Sequence, residues 1–359
     1  FAARSAHHFL LPHMPETLMP LPANFARHMV DWQRQHGRQS LPWQNTQDPY
    51  RVWLSEIMLQ QTQVSTVLDY FPRFLSRFPD VAALAAAEQD DVLALWSGLG
   101  YYSRARNLHR CAQEVMQRFG GAFPAQAEAL QTLPGIGRST AAAIAAFCFR
   151  ERAAILDGNV KRVLTRVLGY ADDLAVAKHE KRLWDLAQDL LPAKPGDMPR
   201  YTQSLMDLGA TVCLPRKTQC EVCPVSDLCV AKRQGEPLAY PVKTRKLKRS
   251  SATLWLLWAV NAQGQVWLQK RPDKGIWAGL FSLPVFESED ALLAAWPQGQ
   301  DAQYITPWKH VLTHRDLHLH PVRLSTHGKI VPDCDGQWVD AQAWPDLGLP
   351  APIRQLLHM

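Results

Sequence analysis

No run of apolar residues in this chain approaches the ~20 needed to cross a bilayer, which counts against membrane insertion. Cysteine is scarce outside one short stretch. Of seven, Cys111, Cys148 and Cys334 stand alone in apolar or mixed surroundings and are expected to be buried small hydrophobes. No secretory signal accompanies them, so a disulfide framework is excluded and a metal site is the better reading of the other four. Acidic residues are absent before Glu16, in FAARSAHHFLLPHMPETLMPLPAN. That composition suits a transit peptide, but a disordered extension over residues 1–22, or sequence upstream of a start at Met14 or Met19, is the simpler expectation. Internal repeats and low-complexity tracts are missing too, so a repeat array is excluded.

What is present is 359 residues, too many for one typical core, with 47% hydrophobic and 20% charged residues. This is the profile of an ordinary globular protein with two domains. A net charge of +6 leans toward a polyanionic partner. From about Ala23 to Ala231 the chain reads as consecutive short helices. VWLSEIMLQQTQVSTVLDYFPRFLSRF carries apolar residues at helical spacing, with Pro72 expected to open a second helix. DVLALWSGLG and YYSRARNLHRCAQEVMQRFGG end in glycine stops, and VKRVLTRVLGY, KRLWDLAQDLL and YTQSLMDLGATVC follow suit. Residues 232–250, with prolines and a dense basic run, read as an exposed linker. Beyond it, ATLWLLWAV-NAQGQ-VWLQKR predicts a hairpin. LFSLPVF, AQYITPW, HLHLHPVRL and GQWVD predict further strands, and SEDALLAAW and APIRQLLHM predict helices. The fold class is therefore a mainly α domain followed by a smaller α+β domain over 251–359.

Cys213, Cys220, Cys223 and Cys229 follow the pattern C-x6-C-x2-C-x5-C. Four thiolates can hold a tetrahedral zinc or a [4Fe–4S] cluster. Zinc ribbons pair two C-x2-C knuckles, and this run has one. Its unequal spacing resembles the cluster loop of the endonuclease III superfamily of DNA glycosylases, which implies a [4Fe–4S] cofactor.

LPGIGRSTAAAIAAF, residues 133–147, is a Pro-Gly-x-Gly turn between AQAEALQT and an alanine-rich helix: a helix-hairpin-helix. Gly135 and Gly137 remove side-chain bulk where backbone N–H groups at a helix N-terminus can meet an anion, and DNA phosphate suits the basic balance. Asp157, in LDGNVKR, stands where a helix N-cap is expected. Together, hairpin, LDGNVKR and cysteine loop resemble the MutY family of adenine DNA glycosylases. LPW at 41–43, WLSEIMLQQTQV at 53–64 and GLGYYSRARNL at 98–108 match it closely, and the likeness runs from about Ala23 to the C-terminus.

The resemblance implies a soluble monomer acting in the cytoplasm, at the nucleoid, on double-stranded DNA with A:8-oxoguanine or A:G mispairs. Glu56 would protonate adenine N7 and then handle the water, and burial in WLSEIML would keep it an acid. Asp157 would stabilise the sugar C1′, with Asn159 and Ser139 beside sugar and base. Gln61, Thr62 and Tyr101 would wedge into the duplex, Tyr101 and Tyr102 as core aromatics being the competing reading. Asp207 would lie near the adenine pocket, unless it is a helix-facing structural carboxylate, and Trp43 would line it. Superfamily members that cut the backbone carry a lysine where Ser139 stands. Serine cannot form an imine, so base removal without strong lyase activity is expected.

VWLQKRPDKGIWAGLFSLPVF resembles the Nudix-like domain with which this family reads 8-oxoguanine. A working Nudix hydrolase needs R-E-x-x-E-E for magnesium, and SEDALLAAWPQ lacks it, which disfavours a nucleotide-pool hydrolase. KHVLTHRDLHL aligns Leu312, Thr313 and His314 with the family's Phe-Ser-His loop, keeping hydroxyl and imidazole but losing the aromatic. His318 and His320 alternate on a strand and are expected to be solvated. A catalytically silent lesion binder is the reading from another class, and it would need neither Glu56 nor Asp157.

Overall fold

The computed structural model describes residues 21–244, 248–296, 302–325 and 332–359. Almost all of the expected N-terminal extension, and residues 245–247 of the basic linker, lie outside these. Helices fill the first part: α1 (Phe25–His36), α2 (Pro49–Leu59), α3 (Val64–Arg77), α4 (Val81–Ala86), α5 (Gln89–Trp96) and α6 (Ser103–Phe119). They continue with α7 (Ala127–Leu130), α8 (Arg138–Phe149), α9 (Gly158–Leu168), α10 (Ala177–Asp189), α11 (Met198–Thr211) and α12 (Val230–Arg233). Among the described residues no helix is long and apolar enough to cross a membrane.

The helices pack into two cores. One gathers α2 to α6 around Trp53, Phe71, Phe74 and Trp96; the other gathers α1 and α9 to α11 around Phe25, Leu164, Leu183 and Tyr201. The alanine-rich α8 is the wall between them. Ala141, Ile144 and Ala145 face the first core, and Ala142, Ala143 and Ala146 the second. Alanine favours a helix and takes little room, so neighbours close on both faces of one buried helix. Asp48 caps α2, its Oδ1 accepting the Tyr50 N–H at 3.0 Å, and Pro49 sits in the first turn where its missing N–H costs nothing.

Two sequence expectations are corrected. Pro72 does not open a helix: α3 runs straight through it. Val67, Phe71 and Phe74 form one buried stripe along α3, and burying that stripe outweighs the hydrogen bond that proline cannot donate. Cys111 is buried as expected, but Cys148 and Cys334 are only half-buried, because each sits at the margin of its core.

The second part is an eight-stranded mixed sheet: β1 (Ser250–Val260), β2 (Val266–Lys270), β3 (Phe281–Ser282), β4 (Val285–Phe286), β5 (Ala302–Tyr304), β6 (Trp308–Val311), β7 (Arg315–Ser325) and β8 (Gln337–Val339). Its spine is β1 parallel to β7, in register from Ser250↔Arg315 to Val260↔Ser325. Two helices, α13 (Glu289–Ala294) and α14 (Ala351–Leu357), accompany it.

The sheet and the helical part are joined by side chains as well as by the linker. Ser97 Oγ and Tyr102 OH both donate to Leu349 O at 3.0 Å, and Arg106 Nη1 donates to Ala278 O at 2.6 Å. Lys270 pairs with Asp90 at 2.7 Å, and Leu280 is buried in the first helical core.

Candidate active site

Glu56 and Asp157 come from opposite cores. Glu56 rises from the middle of α2 between buried Ser55 and Ile57; Asp157 stands before the first residue of α9, which is buried on the other side. Burial pushes the Glu56 carboxyl up to about 8, and the negative charge of Asp157 adds to the rise. Glu56 is therefore a carboxylic acid at neutral pH. Asp157 spends Oδ1 on the Val160 N–H at 2.8 Å, an N-cap that leaves the second oxygen outside the cap. The capping reading and the chemical one are compatible.

Ser139 and Asn159 support this pair. The Ser139 hydroxyl accepts the N–H of Leu156 at 3.0 Å, fixing the residue before Asp157 from the first turn of α8. Asn159 is held through Oδ1 by Arg162 Nη2 at 2.9 Å and lies against Gly209 of α11, where an added Cβ would sit 2.8 Å from the Asn159 Cβ. Only glycine allows that approach.

A cavity of about 500 Å³ opens beside Glu56, lined among others by Arg38, Trp43, Arg150, Gln203 and Met206. Trp43 packs edge-on against Phe71, as expected of a wall residue. Asp207 is not in the wall but one layer behind it, fully buried. It accepts Arg38 N at 2.9 Å, Arg38 Nε at 2.7 Å and Gln203 Nε2 at 2.8 Å, and so orients two cavity-lining side chains. The sequence reading missed both partners. Gln203 was legible, being four residues before Asp207 on one helix face; Arg38 was not.

The hairpin glycines divide their work. Gly135 has φ +76, and a Cβ there would lie 2.8 Å from the Asn107 Cβ. Gly137 is the N-cap of α8 at an ordinary φ of −81, and a Cβ there would meet nothing. The first is demanded by the fold; the second keeps open space in front of a helix N-terminus.

Gln61 and Tyr101 both adopt left-handed backbone, with φ of 56 and 49, and Tyr101 is 44% exposed. A solvent-facing aromatic on strained backbone does not fit the core-packing alternative, whereas Tyr102 is half-buried within the first core. Both strained loops are held by Arg104, which the sequence reading did not single out. Its guanidinium donates to the carbonyls of Ile57, Met58, Gln60, Leu99 and Gly100 and to the Thr62 hydroxyl, at 2.6 to 3.2 Å. Burial pulls Arg104 down to about 10, still charged at neutral pH.

Across the gap, the Tyr101 hydroxyl is hydrogen-bonded to the Thr313 hydroxyl of the β6–β7 turn. His314 is exposed, while Leu312 turns into the sheet's core. His318 is exposed, and His320 stacks on Trp255 at 4.7 Å rather than standing free.

Far from the cavity, Cys213, Cys220, Cys223 and Cys229 line one apolar pocket with Val163, Val212 and Val225. Arg166 Nη1 donates to Cys213 Sγ at 3.2 Å. Among the described residues no three His, Cys, Asp or Glu side chains converge as a single metal ion requires. Four thiols lining one pocket are a donor set that suits a metal centre.

Each part of the chain matches a known family. The family described as "HhH-GPD superfamily base excision DNA repair protein" matches residues 54–189, and "NUDIX domain" matches residues 255–359. The adenine DNA glycosylase of Buchnera aphidicola subsp. Acyrthosiphon pisum (strain APS) is 34% identical over 349 residues, 93% of this chain and 97% of that one. The Homo sapiens adenine DNA glycosylase is 43% identical over 222 residues, 59% of this chain and 40% of its own. Among solved structures, a thermostable thymine-DNA glycosylase superposes with a TM-score of 0.51 and 28% identity, covering 58% of this chain and 95% of that one.

The glycine assignment is testable by paired substitutions. Gly135→Ala should lower unfolding free energy by about 1–3 kcal/mol in urea titrations through strain and collision. Gly137→Ala, which loses only an N-cap preference of about 1 kcal/mol or less, should cost less stability yet weaken retention of duplex DNA; equal behaviour of the two would contradict it.

Proposed function

The chain belongs to the MutY family of adenine DNA glycosylases, enzymes of base excision repair, and from that premise we propose that it hydrolyses adenine from A:8-oxoguanine and A:G mispairs in double-stranded DNA. The reading is carried by one observation: a carboxyl held neutral by burial, next to a second carboxyl, at the edge of a cavity. The target nucleoside leaves the stack to reach it, with Gln61, Thr62 and Tyr101 filling the gap. Adenine enters the cavity walled by Trp43, Arg38 and Gln203, oriented in turn by Asp207.

Glu56 gives its proton to adenine N7, and the glycosidic electron pair leaves with the neutral base. The positive charge that develops at the sugar is met by the Asp157 carboxylate, with Ser139 holding the backbone just before it and Asn159 fixed nearby by Arg162. Glu56, now a carboxylate, takes a proton from the water that attacks C1′ and is reset. Ser139 offers no amine for an imine, so the backbone stays intact. Gly135 and Gly137 shape the hairpin that receives a phosphate, with Gly137 leaving the room.

The unit over 251–359 reads the base opposite adenine through Thr313 and His314, and the one over 23–231 carries the chemistry, with 232–250 between them. Cys213, Cys220, Cys223 and Cys229 would hold a [4Fe–4S] cluster. Bound there, it supplies iron–thiolate bonds that tie the loop after α11, away from the reacting atoms. We take the enzyme to act as a monomer.

Three measurements test the mechanism. Asp157→Asn keeps an N-cap side chain, so the protein should fold and retain lesion duplex while excision falls by about a thousandfold or more. In a gel assay the wild type should break the strand only after hot alkali. Breakage without alkali means lyase activity, and retention without breakage means a silent binder; either overturns the proposal. From neutral pH the single-turnover rate should stay flat to about pH 8 and fall above it as Glu56 loses its proton. A rate that climbs through pH 9 would contradict Glu56 as the acid.

A further inference from the structure

The turn that carries Thr313 and His314 is fastened by a residue outside it. Arg249, at the end of the basic linker, directs Nη1 to Thr313 O at 3.0 Å and Nη2 to Leu312 O at 2.8 Å. The same Nη2 is bonded to Asp316 Oδ1 at the start of β7. Ser250 continues the pattern, its N–H donating to His314 O at 3.0 Å. Inside the turn, Leu312 N–H donates to Arg315 O at 2.8 Å. Every carbonyl from 312 to 315 is thus occupied within the protein. With Leu312 packed into the core, the Thr313 hydroxyl and the exposed His314 imidazole are the groups left to meet a ligand.

The chemistry of this fastening is specific to arginine. Two successive carbonyls and a carboxylate are met by one planar fork, whose donors are fixed relative to each other. The arrangement stands on the exposed rim of the sheet, where an unsupported turn would lose conformational freedom only on binding and so weaken it. Arg315 Nε adds a bond to Ser250 Oγ at 3.0 Å, which ties the far side of the turn to the same strand start.

We propose that Arg249 is a positioning residue for lesion discrimination: it orders residues 312–315 in advance, so that Thr313 and His314 are presented to the base opposite adenine while Thr313 stays engaged with Tyr101. This rests on the reading that the β6–β7 turn senses 8-oxoguanine. Arg249 touches neither the cavity nor the two carboxyls, so its removal acts on recognition and not on bond breaking.

The test compares the full-length wild type, Arg249→Ala, Arg249→Lys and the double variant Thr313→Ala with His314→Ala on A:8-oxoguanine and A:G duplexes, measuring affinity and the saturating single-turnover rate separately. Arg249→Ala should lose about tenfold in affinity for A:8-oxoguanine and less than about twofold for A:G. Its saturating rates on both duplexes should match the wild type. Arg249→Lys, with a charge but no fork, should recover only part of the preference. If the double variant keeps the full preference, the turn does not sense 8-oxoguanine and the proposal falls with that reading. If the double variant loses it but Arg249→Ala keeps it, the role of Arg249 alone is overturned. Equal loss of saturating rate on both duplexes would also overturn it, making Arg249 general scaffold.

Discussion

Two carboxyl groups at one site cannot both be ionised cheaply, and the molecule is built around keeping one of them neutral. Glu56 stays protonated because α2 is half immersed in the first core and because Asp157 already carries charge nearby. Asp157 stands as the N-cap of α9, its side chain accepting the Val160 N–H. The two therefore have to come from different packing units. α8, lined with alanine on both faces, lets those units pack closely, and the charge of Asp157 is felt at Glu56.

Around that pair the fold spends strain deliberately. Gln61 and Tyr101 are held in left-handed backbone, where ordinary side chains are disfavoured by about 1–3 kcal/mol. Arg104 makes this possible by gathering six acceptors from the two loops onto one buried guanidinium. A charge-assisted bond contributes about 1.5–3 kcal/mol, so several of them outweigh two strained residues. The Tyr101–Thr313 contact then carries the rigidity of the helical part across to the sheet.

Much of this was legible in the sequence, for identifiable reasons. Helices such as α9 and α11 announce themselves through apolar periodicity, and the hairpin through Pro134, Gly135 and Gly137. The strand β1 follows from the continuous apolar run LWLLWAV, and β7 from the alternation of Leu317 and Leu319 with polar neighbours. The roles expected of Glu56, Asp157 and Ser139 come from the resemblance to the MutY family, at the positions that match its motifs. Other features depend on contacts distant in sequence. Arg104 in YYSRARNL looks like any helix-surface arginine until its acceptors, some more than forty residues away, are known. Arg38 finds Asp207 across 169 residues, and Arg249 finds its turn across more than sixty. Pro72 misled because a local rule was weighed without the buried stripe that overrides it.

The central claim is that Glu56 is a neutral acid at working pH because it is buried beside a charged Asp157. Its carboxyl can be followed directly, by the protonated C=O stretch in infrared difference spectra between the wild type and Glu56→Gln across pH. That band should titrate near pH 8 in the wild type and lower in Asp157→Asn, which removes the neighbouring charge. A carboxyl ionising near its ordinary 4.5 in both proteins would contradict the account.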